Sequence, residues 1–134
     1  MNYIKELKEV AIDKKLLIVE DELELNSELA DLFDIFFTDV DTSFDGENGL
    51  QKILENDYDV VLSDIDMPIL NGISMIEKAK TKKENLSFII LSGRLGEHSD
   101  DFEKLNIKYT CDKPYDLDLL FSQLIEILGS KSIN

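Results

Sequence analysis

The chain has 134 residues, 43% of them hydrophobic and 32% charged, which is enough for one domain with a real core. With 14 basic against 29 acidic residues its formal net charge is −15, a balance that works against nucleic acid or an anionic membrane as a direct partner. One cysteine, Cys111, leaves no internal disulfide and suits a reducing compartment, and no apolar run is long enough to span a bilayer.

The start, Met1-Asn2-Tyr3-Ile4-Lys5-Glu6, lacks the basic-then-apolar plan of a signal peptide, so the expected setting is the cytoplasm. Ile4, Leu7 and Ala11 fall at helical spacing, and residues 1–14 read as an N-terminal extension, a short helix at most, loosely docked. Leu16-Leu17-Ile18-Val19 is a buried strand running into Glu20-Asp21. Leu25, Leu29, Leu32, Phe33 and Phe36 then recur at steps of three and four and predict a helix. Val40 to Phe44 reads as a short edge strand closed by the turn pair Asp45-Gly46, and Leu50, Ile53 and Leu54 mark the inner face of the next helix.

Val60-Val61-Leu62-Ser63-Asp64-Ile65-Asp66-Met67-Pro68 is the stretch around which the chain is organised. Its apolar run ends in Asp64, where a strand leaves the core, and a carboxylate there serves as metal ligand, base, nucleophile or phosphate acceptor. Asn71-Gly72 is a turn signal, and Ile73, Ile76 and Ala79 continue as a helix ending near Lys80 to Lys83. Phe88 to Leu91 is a fourth strand ending in Ser92-Gly93-Arg94, followed by a short acidic helix at Asp100 to Leu105. With only Phe102 and Leu105 as anchors, that helix is the expected mobile element. Ile107 to Cys111 is a fifth strand entering Asp112-Lys113-Pro114. Leu117, Leu120, Phe121, Leu124, Ile125 and Leu128 give the clearest helical stripe, with Gly129 as its stop and residues 130–134 as a polar tail. Five strand-then-helix repeats with short connections predict an α/β sandwich with a parallel sheet over residues 15–129.

Four strands deliver polar groups to one end: Glu20-Asp21, Asp64, Ser92 and Lys113. Crowded carboxylates repel unless a cation neutralises them, and an all-oxygen set without His or Cys suits Mg²⁺. A lysine and a hydroxyl complete a cradle for a phosphoryl group.

Taken together, Leu17-Ile18-Val19-Glu20-Asp21-Glu22, Asp64-Ile65-Asp66-Met67-Pro68 with Asn71-Gly72, Leu91-Ser92-Gly93 and Lys113-Pro114 make residues 15–128 resemble the receiver domains of two-component response regulators. The resemblance implies a three-layer (βα)5 flavodoxin-like sandwich of strand order 2-1-3-4-5. It implies that Asp64 is a phosphoacceptor, taking its group from the phosphohistidine of a sensor histidine kinase or histidine phosphotransfer protein. Glu20, Asp21, Asp64 and the backbone carbonyl of Asp66 would hold Mg²⁺, for which Mn²⁺ could substitute. Ser92 and Lys113 would each bind a phosphoryl oxygen, and the Lys113-Pro114 bond would be cis. The switching surface would run from strand 4 to helix 5, the Leu117 to Leu128 stripe, toward an unnamed effector, in a monomer or weak dimer that is not an enzyme in its own right.

The sequence departs from the family pattern at the aromatic commonly found three residues before the lysine. Thr110 stands there, and alternation sends Tyr109 to the opposite face. Asp66 and Arg94 flank the acceptor with opposite charges and are expected to pair across the mouth. Cys111 reads as a buried structural thiol, and His98 has no partner pattern. Two other readings are a phosphatase of the haloacid-dehalogenase type, from Asp64-Ile65-Asp66, and a receiver-like binding module that takes no phosphoryl group. In the first the Asp-x-Asp motif should end the first strand, and here an acidic pair precedes it. The second sits badly with the retained acids, hydroxyl and lysine.

Overall fold

Each apolar run of the sequence becomes a strand. In a computed structural model that describes residues 2–132, the elements are α1 (Tyr3–Ala11), β1 (Lys15–Val19), α2 (Leu23–Phe33), β2 (Asp39–Ser43), α3 (Gly46–Glu55) and β3 (Val60–Asp64). They continue with α4 (Gly72–Lys80), β4 (Ser87–Ser92), a 3₁₀ turn (Leu95–His98), α5 (Ser99–Lys104), β5 (Tyr109–Asp112) and α6 (Leu117–Ser132). All pairings are parallel and the sheet order is β2-β1-β3-β4-β5, so β3 lies in the middle with every residue buried, its polar Ser63 and Asp64 included. β2 alternates exposed and part-buried residues before its buried end, as an edge strand can.

The sheet separates two apolar clusters. Leu16, Ile18, Val60, Leu62, Ile89, Leu91 and Cys111 face α1, α2 and α6, where Phe33 and Phe36 of the α2 end pack edge-on against Phe121 at 6.0 and 5.5 Å. Leu17, Val19, Val61, Phe88 and Ile90 face α3 and α4, with Phe102, Leu105 and Ile107 packed at the margin. None of the residues of α5 or its preceding 3₁₀ turn is fully buried, which fits the expectation of few anchors.

Several local expectations need correction. The N-terminal stretch is a docked helix: Asn2 caps it by accepting from the Lys5 N–H, and Leu7 and Ala11 are fully buried against α6, while Ile4 faces solvent. Asp45-Gly46 and Asn71-Gly72 are helix starts rather than turns. Asp45 and Asn71 accept hydrogen bonds from the Asn48 and Ser74 N–H groups at 2.8 and 2.9 Å. The fifth strand begins two residues later than expected because α5 closes in a Schellman motif. Asn106 sits at φ 57°, and the Ile107 N–H bonds back to the Phe102 carbonyl at 2.9 Å. Gly129 does not stop α6; among the described residues no glycine has positive φ, and the helix runs on to Ser132. The rest of the expected tail, residues 133 and 134, lies outside the described residues. Leu54 and Leu117, placed on inner faces by spacing, are exposed, and Ile127 is buried instead.

Cys111 is buried, and burial pushes its thiol up to about 11, as a structural thiol requires. His98 does have a partner: its Nδ1 lies 3.5 Å from an Asp101 carboxylate oxygen, one turn along the same segment. Leu7 at 0% exposure makes α1 part of the core. Leu7→Ala is therefore expected to cost about 2–5 kcal/mol in urea unfolding, whereas a loose arm would lose almost nothing.

Candidate functional site

The chain order reverses between β1 and β3, and the crevice above their carboxyl ends collects the polar side chains. Asp64, the last residue of β3, is only 7% exposed. Its Oδ1 accepts from the Ile65 N–H at 2.7 Å and its Oδ2 from Lys113 Nζ at 3.2 Å. The same ammonium donates to Glu20 Oε1 at 2.7 Å and lies 3.4 Å from Glu22 Oε2. One lysine thus neutralises acids from two strand ends and the start of α2. Burial pushes the carboxyls of Glu20 and Asp64 above the usual range, against the pull of Lys113. Burial alone would lower the Lys113 ammonium, but the bond to Glu20 and the charge of Asp64 outweigh it and raise it.

Glu20, Asp21 and Asp64 can each offer an oxygen within 4.8 Å of the others. The donors are all carboxylates, with no imidazole or thiolate among them, so they fit a hard divalent cation. The mouth is completed by Glu22, Asp66, Gly93, Arg94 and Lys113. Arg94 and Asp66 do pair, through Nη2 to Oδ1 at 2.9 Å and Nε to Oδ2 at 3.2 Å, with both side chains about half exposed. Ser92 is fully buried, and its Oγ accepts from the Arg94 N–H at 3.0 Å. The Lys113-Pro114 bond is cis.

Tyr109 packs with the α6-side cluster, while Thr110 pairs with Ile90 and so faces α4 and α5. The aromatic is on the wrong side of the sheet, as alternation predicts.

Gly72 and the loop after Asp64 fix how close the scaffold comes. A Cβ on Gly72 would stand 2.2 Å from the Asp64 carbonyl oxygen, and the Gly72 N–H bonds to the Ile65 carbonyl at 2.8 Å. Only glycine lets α4 begin there. Three residues escaped the sequence reading: Glu22 as a partner of Lys113, the buried Asn26, and Ile69. Asn26 offered a signal, a polar residue beside the apolar helical stripe. Glu22 offered none beyond adjacency to the acidic pair.

The fold and this arrangement define a parallel α/β domain with a lysine-bridged acidic site at its strand ends, and comparison with known proteins makes the class definite. The family "Response regulator receiver domain" matches residues 16–125, and the chain belongs to that family. Response regulator ArlR of Staphylococcus aureus is 31% identical over 123 residues, a match covering 85% of this chain and 52% of the relative. The chain therefore spans about half the length of the curated relatives it matches. Among solved structures, the receiver domain of Francisella response regulator 1452 shares 26% identity at a TM-score of 0.79, covering 89% of this chain and 99% of that one. The chemotaxis response regulator CheY4 of Vibrio cholerae, 22% identical at a TM-score of 0.77 with 87% and 99% covered, shares the fold.

Ile69 adopts φ 71° and is 73% exposed, and the Leu70 N–H bonds to the Pro68 carbonyl at 2.8 Å across it. That is a γ-turn in the left-handed region, held by a β-branched residue at a cost on the order of 1–3 kcal/mol. Ile69→Gly removes the strain and loses almost no buried surface, at the entropic cost of a glycine. It is expected to stabilise the protein by about 1 kcal/mol, read as a higher urea midpoint at unchanged slope.

Proposed function

We propose that Asp64 accepts a phosphoryl group from a phosphohistidine of a sensor histidine kinase or histidine phosphotransfer protein, and that this turns the receiver on. The observation that carries the reading is the convergence of Lys113 on both Glu20 and Asp64, beside a third carboxylate, at the end of the central strand. A carboxylate oxygen of Asp64 attacks phosphorus while the P–N bond breaks. The bond pair leaves with the donor's imidazole nitrogen, which takes a proton, and an acyl phosphate remains. A carboxylate is a modest nucleophile, so positioning and charge neutralisation do the work.

Glu20, Asp21, Asp64 and the Asp66 carbonyl are the proposed holders of Mg²⁺, or Mn²⁺ in its place, which when bound offsets the negative charge of acceptor and incoming group. Lys113 supplies a second positive charge beside Asp64 and is the proposed partner of one phosphoryl oxygen. Ser92 is the proposed donor to another, since its Oγ already accepts from Arg94 and its hydroxyl hydrogen is left to turn toward the acceptor. Movement of Ser92 is the proposed signal to β4, the Leu95–Lys104 segment, β5 and α6, read by a downstream effector without the usual inward-turning aromatic. Thr110 lies on that face of the sheet and Tyr109 on the other. No helix among the described residues is long and apolar enough to cross a membrane, which is compatible with the cytoplasmic setting we propose. The chain acts here as an acceptor and turns over no separate substrate.

Incubation with Mg²⁺ and acetyl phosphate, followed by intact mass measurement, is expected to show one added phosphoryl group, absent in Asp64→Ala. Turnover of donor without an adduct would favour a phosphatase instead, and no reaction at all a binding module.

The Arg94–Asp66 pair lies across the mouth, in the path of a water attacking the acyl phosphate. Half-exposed pairs are worth at most about 1 kcal/mol, so the gate is a modest one. Arg94→Ala and Asp66→Asn are each expected to speed loss of the phosphoryl group by a few-fold. Unchanged rates in both would remove the gate.

A further inference from the structure

We propose that Asn26, which no step above uses, is the positioning residue that aims Asp21 at the cation; the inference rests on the metal-assisted acceptor reading. Asn26 lies on α2 and is 2% exposed. Its Nδ2 donates to two carbonyls, that of Glu20 at 3.0 Å and that of Ser43 at 3.1 Å. The Ser43 carbonyl also takes the Glu20 N–H at 3.0 Å, which is the last rung between the ends of β1 and β2. Beyond that rung β1 has left the sheet, and the Glu20 carbonyl would face a buried position without a donor had Asn26 not supplied one.

The peptide so held is the one that joins Glu20 to Asp21, and its plane sets where the Asp21 side chain departs. Among the described residues the Asp21 carboxylate takes no hydrogen bond, whereas Glu20 is held by Lys113 and by the Glu22 N–H, at 2.7 and 3.1 Å, and Asp64 by Lys113 and Ile65. Of the three candidate ligands, Asp21 alone depends wholly on its backbone for direction. Asn26 grips that backbone from both sides of the turn, since its own N–H also bonds to the Glu22 carbonyl at 2.9 Å. Partners behind a metal ligand act in this way in general, and their loss typically weakens metal binding 10- to 100-fold.

Calorimetric titration of Mg²⁺ into the full chain reads the effect apart from phosphoryl transfer. Asn26→Leu keeps the volume and removes both donors, and is expected to weaken Mg²⁺ binding by about tenfold or more. Asn26→Ser, with one donor on a shorter arm, should fall between it and the wild type. Leu25→Ala, on the same helix and packed into the core beside it, should lower the thermal midpoint and leave Mg²⁺ binding as it was. A folded Asn26→Leu chain that binds Mg²⁺ like the wild type overturns the proposal, as does an equal loss in Leu25→Ala. If Asn26→Leu does not fold, Asn26→Ser decides by the same criteria. A wild type that binds Mg²⁺ yet accepts no phosphoryl group overturns the acceptor reading alone, while the Asn26 comparison stands.

Discussion

Everything at the top of this sheet answers to the mutual repulsion of carboxylates. Glu20, Asp21 and Asp64 converge to within 4.8 Å, and Glu20 and Asp64 are nearly removed from water. Such a cluster is tolerable only if positive charge is delivered into it, and Lys113, just after β5, does so, reaching Asp64 past β4 and Glu20 past β4 and β3. The fold is what makes this delivery possible. A parallel sheet sends every strand end to one side, and central placement of β3 puts its terminal acid between the donors of its neighbours. Without Lys113 the acids would have to protonate, part, or wait for a cation; with it they can stay close.

The scaffold is correspondingly tight where it supports the acids and slack where it does not. Gly72 lets α4 start against the Asp64 backbone, Asn26 fastens the turn that carries Asp21, and the Phe33–Phe36–Phe121 packing ties α2 to α6 beneath them. In contrast, the segment from Leu95 to Leu105 leans on the α3–α4-side cluster only through the partly buried Leu95, Phe102 and Leu105 and is held at its ends by polar contacts. Arg94 pairs with Asp66 at one end, and Lys80 donates to the Leu105 carbonyl at 2.8 Å at the other. Exposed ion pairs and single hydrogen bonds are each worth on the order of 1 kcal/mol, so this segment is fastened far more weakly than its neighbours.

Much of this was legible in the residues. Continuous apolar runs ending in Glu20-Asp21, Asp64, Ser92 and Lys113 identified the strands, the end at which they matter and the chemistry gathered there. Where the reading fell short, the deciding force was tertiary. The spacing of Leu7 and Ala11 marks one face of a short helix but does not say what covers it, and α6 supplies the cover. Asp45-Gly46 and Asn71-Gly72 have the composition of turns, and only the following helix makes caps of them. Gly129 could end a helix, but an αL conformation is needed and the chain does not adopt it. The pairing of Glu22 with Lys113 joins residues 91 positions apart and has no local signature. The same is true of Asn26 and Ser43, which meet only because β2 lies beside β1.

The two apolar clusters share no residue, because alternation along each strand assigns a side chain to one face or the other. On β4, Ile89 and Leu91 look toward the phenylalanines, while Ile90 and Ser92 look toward α4 and α5. The sheet thus acts as a partition between two separately packed layers. In the proposed mechanism a shift of the Ser92 hydroxyl would act first on the α4–α5 side, while α1 and α2 on the other face keep the acids registered. A chain built this way can change the surface it presents to a partner without reopening the packing that holds its chemistry together.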